Sequence, residues 1–176
     1  MTDHDLECFL FSGTYRDTSI PWPHKTVMVY CLTINGTPHD YQVIHNDRQN
    51  GHAEVKFINQ VEISPEATEI YIEMFISYSP CDNCAKALIG WIEKLGKQGK
   101  TVSIAIKSST FYLNETHGLI SLGQVNGITF DVFCGEEAWE TFFQCIRRTD
   151  FTKYKKLIRK RKDREDVDDT KLQGII

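Results

Sequence analysis

The chain has 176 residues, of which 41% are hydrophobic, 11% aromatic and 25% charged, and a formal net charge of −4. That size and apolar content suit one globular domain with its own core, and without a Gly-X-Y period, a Ser/Gly linker or a long polar tract the collagen-like and largely disordered classes are excluded. The charge is uneven: residues 1–146 hold 9 Lys+Arg against 18 Asp+Glu, while residues 147–164 hold 10 against 2, so the acidic body disfavours strong non-specific binding to a phosphate backbone.

In chain order, residues 1–11 carry Asp3, Asp5 and Glu7 beside a short apolar patch, where an export signal needs a basic start and a longer apolar run. No later apolar run reaches the roughly 18 residues of a membrane-spanning helix. Residues 26–34 and 39–44 are β-rich and flank Asn35-Gly36-Thr37-Pro38, which predicts a hairpin. Ala53, Val55, Phe57, Ile58 and Val61 predict a short helix beginning at His52 or just before. Residues 69–77 form a nearly continuous apolar run ending before Pro80, the pattern of a strand covered on both faces. Helical spacing of Ala85, Leu88, Ile89, Ile92 and Leu95 predicts a helix over 81–99, stopped at Gly96 and Gly99.

A strand is expected over 101–107, a helix over 115–124, a strand over 128–133 and a helix over 136–148. A last basic helix is expected over 152–164, with residues 165–176 as a frayed tail. The ten basic residues from Arg147 to Arg164 suit phosphate binding, a nuclear-import signal or simply a solvated helix face. The element order predicts an α/β domain over 1–164, its mixed sheet covered by helices on both sides. Cys8, Cys31, Cys134 and Cys145 lie in apolar segments and read as small buried hydrophobes in a reducing compartment, with a disulfide among them as the lesser alternative.

Chemistry concentrates in two short segments, His52-Ala53-Glu54 and, after 25 intervening residues, Pro80-Cys81-Asp82-Asn83-Cys84. Cys81 and Cys84, three apart, share a face at a helix start, where free amides and the helix dipole favour thiolates. With His52 they make three ligands for one Zn²⁺ per chain, leaving the fourth tetrahedral position for water, as a catalytic zinc requires. Glu54 then serves as the proton shuttle between that water and the substrate. Residues two apart on a regular helix diverge by about 200°, so His52 and Glu54 converge only if the chain enters the helix near His52. A lone CxxC also occurs in redox and structural zinc sites, and a lone HxE occurs by chance. The pair together is the signature of zinc nucleobase deaminases.

Residues 77–85, Ser-Tyr-Ser-Pro-Cys-Asp-Asn-Cys-Ala, resemble the Ser-Trp-Ser-Pro-Cys-x-x-Cys-Ala segment of the AID/APOBEC polynucleotide cytidine deaminases, with Tyr78 in place of Trp. Residues 26–30, Phe111-Tyr112, Gly118-Leu119 and 138–143 carry weaker similarities, and Ser109-Thr110 depart from that family's Ala-Arg. The resemblance implies a three-layer cytidine-deaminase-like fold with a five-stranded sheet and about six helices. It implies hydrolytic deamination of cytosine to uracil in single-stranded DNA or RNA, in the cytoplasm or nucleus and with no membrane partner. It assigns substrate-binding roles to Thr26, Asn46, Ala53, Tyr78, Ser79 and Tyr112, with Tyr78 and Tyr112 as stacking plates for the base. Trp22, His24, Lys25, Arg48 and Phe111 would rim the nucleic-acid groove. Two alternatives stand beside it: a free-nucleotide deaminase acting on dCMP, and a zinc-stabilised binding module without turnover.

Overall fold

Apolar residues on the strands of one mixed sheet pack into two layers of helices, one on each face. The computed structural model describes residues 1–11, 25–46, 51–111 and 116–175. Among these, helix α1 (Asp3–Phe11) leads into β1 (Val27–Ile34), β2 (Thr37–Pro38) and β3 (Gln42–His45). Then come α2 (Ala53–Gln60), β4 (Glu69–Ile76), α3 (Asp82–Lys97), β5 (Thr101–Ser108), α4 (His117–Gly123) and β6 (Ile128–Val132). The chain closes with α5 (Gly135–Cys145), α6 (Phe151–Arg159) and α7 (Lys162–Gln173).

The strands run β2-β1-β4-β5-β6, with β3 pairing the same edge of β1 as β2. β2 and β3 are therefore two pieces of one interrupted arm, and the expected five-stranded sheet appears as six segments. β1 is antiparallel to β4, while β4, β5 and β6 are parallel. The turn is only Asn35-Gly36, both at positive φ (48° and 78°), as a type I′ hairpin demands. Thr37 and Pro38, expected in the turn, already pair with Ile34 and Thr33, which Pro38 tolerates because it lies on an edge. No helix of the described residues is long and apolar enough to cross a membrane.

One face of the sheet, with Met28, Tyr30, Ile72, Met74, Ile104, Ile106 and Phe130, packs against α2, α3 and α4. Val27, Val29, Phe75 and Phe133 face the other way, into a cluster built by α1, α5 and α6. Rings dominate this second layer, with Phe9–Phe142 centroids 4.7 Å apart and Phe133–Trp139 4.4 Å apart, a geometry that adds to plain area burial. It covers only one end of the sheet. The expectation that β4 is covered on both faces therefore fails over its first half, where Tyr71 is 45% exposed.

Both termini of the chain depart from the sequence reading. Residues 3–11 form a helix opened by a reciprocal cap, Thr2 N donating to Asp5 Oδ2 at 2.8 Å and Asp5 N to Thr2 Oγ1 at 3.1 Å. The expected single basic helix breaks at residues 160–161 into α6 and α7, and residues 165–173 continue α7 where a frayed tail was expected. Buried Glu165, Asp168 and Leu172 hold α7 in place. Cys31 and Cys145 form a disulfide between β1 and the end of α5, and Cys134 is exposed, so of the four cysteines expected to be free and buried only Cys8 is so.

Candidate metal centre

Antiparallel pairing brings the start of β1 beside the ends of β3 and β4, and parallel pairing adds the end of β5. Residues 26, 46, 77–81 and 109–110 thus meet at one end of the sheet, the place where open α/β sheets bind ligands. Thr26 and Asn46 are bonded to each other there: Thr26 N donates to Asn46 Oδ1 at 2.9 Å and Asn46 N to Thr26 O at 3.0 Å. Ser77 Oγ accepts from Val27 N at 3.0 Å, and Ser79 N donates to Thr110 O at 2.8 Å. These bonds fix the turn between β4 and α3.

Two helices begin at this end with a metal-type side chain at the cap. His52 is the N-cap of α2 and Cys81 the N-cap of α3, both with extended backbones. His52 therefore stands just before the helical rotation begins, which is the condition for it to converge with Glu54. His52 Nδ1 lies 3.4 Å from Cys81 Sγ and 3.2 Å from Cys84 Sγ. The three donor atoms all lie within 4.8 Å of one another. Tetrahedral zinc with ordinary Zn–N and Zn–S bonds spaces such donors about 3.5 Å apart, so one nitrogen and two sulfurs fit a single ion.

Electrostatics point the same way. Glu54 is 3% exposed. Burial raises its carboxyl pKa, against the pull of its own amide, His52 and a hydrogen bond with Cys84. Burial also raises the Cys84 thiol, with Glu54 and Cys81 adding to the effect. A buried acid and two thiols around one imidazole form a donor set short of positive charge, which a divalent cation supplies while deprotonating the thiols. The N-terminal ends of α2 and α3 contribute further positive potential. His52, Cys81 and Cys84 are thus a group able to hold a metal ion, with Glu54 at its side.

The remaining candidates separate. Ala53 is fully buried, Ser79 is 3% exposed and Tyr78 is 5% exposed. Burial, with Cys8 adding and Arg161 opposing, keeps the Tyr78 phenol protonated. Lys25 is exposed. Phe111, expected on the groove rim, is turned into the core at 3% exposure, beside Phe130 and under Lys171. Trp22, His24, Arg48 and Tyr112 lie outside the described residues. Open clefts of about 650 Å³ (beside Tyr71, Ser103 and Gly127) and about 580 Å³ (between α2 and α3) contain none of the candidate residues.

Sequence reading missed Asp82. Its Oδ1 accepts from Gly118 N at 2.7 Å, tying the helix that bears both cysteines to α4. It also missed the contribution of α7, whose Arg161/Glu165, Lys162/Asp166 and Arg164/Asp168 pairs were available as a run of i,i+4 spacings.

Against known proteins, the APOBEC3H family model matches residues 21–154. The "DNA dC->dU-editing enzyme APOBEC-3H" of Macaca mulatta is 28% identical over 119 residues, covering 64% of this chain and 54% of that protein. The protein of the same name from Pongo pygmaeus is 26% identical over 74 residues, covering 41% and 35% respectively. The chain thus spans about half the length of the first relative and about a third of the second.

Proposed function

The chain belongs to the APOBEC3H family, and from that premise we propose that it hydrolyses cytosine to uracil in single-stranded DNA at a zinc ion held by His52, Cys81 and Cys84. The observation that carries the proposal is the convergence of one imidazole and two thiols within 4.8 Å, with the buried Glu54 hydrogen-bonded to Cys84. The names of both relatives, DNA dC->dU-editing enzymes, support the reaction and the polymer.

Zinc, when bound, supplies the charge that lets water act as a nucleophile near neutral pH. Glu54 accepts the proton that water loses as its oxygen bonds to C4 of the base. The same carboxyl delivers that proton to the ring at N3. As the C4–N bond breaks, Glu54 relays a second proton from the attacking oxygen to the departing amino nitrogen, so cytosine and water become uracil and ammonia. Burial suits Glu54 to hold the proton between these steps. Thr26 and Asn46, locked to each other at the same end of the sheet, line the approach for the base and its sugar, and the Ser77–Cys81 turn closes it.

The test is uracil formation on a single-stranded oligonucleotide with one cytosine, read by glycosylase cleavage. Glu54→Ala is expected to keep stoichiometric zinc and make no product, whereas His52→Ala, Cys81→Ser and Cys84→Ser lose the metal. Zinc-loaded protein that converts dCMP but not the oligonucleotide would move the assignment to a free-nucleotide deaminase. Zinc-loaded protein inert on both would leave a binding module.

A further inference from the structure

The strand end that faces the metal turn is gripped by the C-terminal helix. Ser109 N donates to Ile76 O at 2.8 Å and Ser109 Oγ to Phe9 O at 2.6 Å, while Thr110 O accepts from Ser79 N at 2.8 Å. α7 adds its own hold on the same two residues. The Thr110 hydroxyl donates to Asp168 Oδ2 at 2.8 Å. Arg164 donates to Thr110 Oγ1 from Nε at 3.1 Å and from Nη2 at 2.9 Å, and pairs with Asp168 Oδ1 at 3.1 Å. Arg161, just before α7, donates to Ser109 O at 2.7 Å, Ser109 Oγ at 2.8 Å and Leu10 O at 2.6 Å. Lys171 stands 4.7 Å from the Phe111 ring centroid.

Anchoring alone does not call for this chemistry. Arg161 and Asp168 are each 1% exposed; charges taken out of water are costly, and an apolar stripe would dock the helix as firmly. What a charged, bidentate network adds is direction. Here the direction is imposed on the carbonyl of Ser109 and the hydroxyl of Thr110, the residue whose own carbonyl holds the Ser79 amide two positions before Cys81.

We infer that α7 is a clamp on the reaction site, in which Asp168 and Arg164 are positioning residues that fix Ser79 through Thr110. The inference rests on the deaminase reading for its consequence in turnover, but its structural part stands apart from it. Residues 162–173 are then a working part of the site.

The test uses the full zinc-loaded chain as Thr110→Val, Thr110→Ser, Asp168→Ala and the Thr110→Val/Asp168→Ala double variant. Hydrogen exchange at the Ser79 amide, bound zinc, melting temperature, and kcat and KM on the single-cytosine oligonucleotide are read for each. Loss of the Thr110–Asp168 bond, common to both variants, predicts Ser79 exchange and KM both about tenfold higher in Thr110→Val and in Asp168→Ala, with kcat within about twofold and zinc unchanged. Thr110→Ser keeps the hydroxyl and is expected to match the unaltered chain, and the double variant is expected to be no worse than the worse single. Unchanged Ser79 exchange in Thr110→Val, a Thr110→Ser that behaves like Thr110→Val, or additive effects in the double would each overturn the clamp. If Asp168→Ala fails to fold, the Thr110→Val and Thr110→Ser pair decides alone. If the unaltered chain makes no uracil, the deaminase reading falls and the exchange measurements still decide the clamp.

Discussion

Adding the same methyl group at two glycines is expected to change stability in opposite directions. At Gly118, an ideal Cβ falls 2.8 Å from Ala85 Cβ, 2.8 Å from Asp82 Cα and 3.0 Å from Asp82 Oδ1. Two of those atoms do not move with a side-chain torsion, so relief requires α4 to back away from α3. That strains the 2.7 Å bond from Gly118 N to Asp82 Oδ1. Overpacking costs about 1–3 kcal/mol and the weakened bond about 1 kcal/mol more, so Gly118→Ala is expected to lose roughly 2–4 kcal/mol. For a chain of this size that is a fall in Tm of roughly 4–16 °C. At Gly90, inside α3, nothing lies within 4 Å of the added carbon, and replacing a helical glycine stabilises by about 0.5–1 kcal/mol. Urea denaturation of both variants measures the difference, and competition with a zinc chelator reads the metal site, where Gly118→Ala should bind more weakly because Asp82 lies between Cys81 and Cys84. A Gly118→Ala protein within about 0.5 kcal/mol of the unaltered chain would refute the close approach of α3 and α4.

Glu54→Gln preserves volume and removes the proton carrier, so turnover should fall by about 10²–10⁴ with zinc content unchanged; substantial residual activity would remove Glu54 from the mechanism. Arg161→Met should lose about 3–5 kcal/mol by leaving Glu165 buried without its cation, and Arg161→Lys should recover little because it lacks the guanidinium fork; chemical denaturation of the pair tests this. Burial raises the Asp5 carboxyl, but the amide and hydroxyl of Thr2 and the ring of His45 outweigh it and hold the group below its ordinary 3.8. Its stabilising contribution is therefore complete above about pH 4 and is lost as pH falls through the lowered value. The stability gap between the unaltered chain and Asp5→Asn should narrow on acidification from pH 6 to pH 3, and a constant gap would contradict the pairing.

The parts of the fold that announce themselves in sequence are those built by apolar periodicity and turn chemistry. Asn35-Gly36 fixes the hairpin because both positions need positive φ, and α3 is legible because Ala85, Leu88, Ile92 and Leu95 are buried in register. The metal group is legible for a different reason: few residue types bind zinc, and a proline before the first cysteine marks where a helix begins. α1 was within reach, since Leu6, Phe9 and Leu10 are spaced i, i+3, i+4 and all are buried, but nine residues with three acids look more like an exposed end. Phe111 shows the limit of composition: an aromatic after a strand suits a groove or a core equally, and the docking of α7 decides for the core.

α7 was invisible to any search for an apolar stripe. Its buried residues are Glu165, Asp168 and Leu172, and its one large apolar side chain of another kind, Val167, is 58% exposed. A basic run followed by an acidic one reads as a solvated face and a loose end, because charge in sequence normally means water. Here opposite charges at i,i+4 spacing meet each other and the strand end, and the cations nearest the site are the ones taken inward. Arg161 and Arg164 hold Ser109 and Thr110, and Arg148 is held by Asp3 and Asp150. Three cations of the basic run thus act on geometry within the molecule. Any pull of this segment on a nucleic-acid backbone falls to its exposed lysines and arginines, of which Arg147, Arg159 and Lys162 stand beside the acidic partners Asp40, Glu136 and Asp166. The cations of this segment that reach the strand end therefore bear on how rigidly the Ser77–Cys81 turn is held, through the Thr110 carbonyl that accepts from Ser79 N.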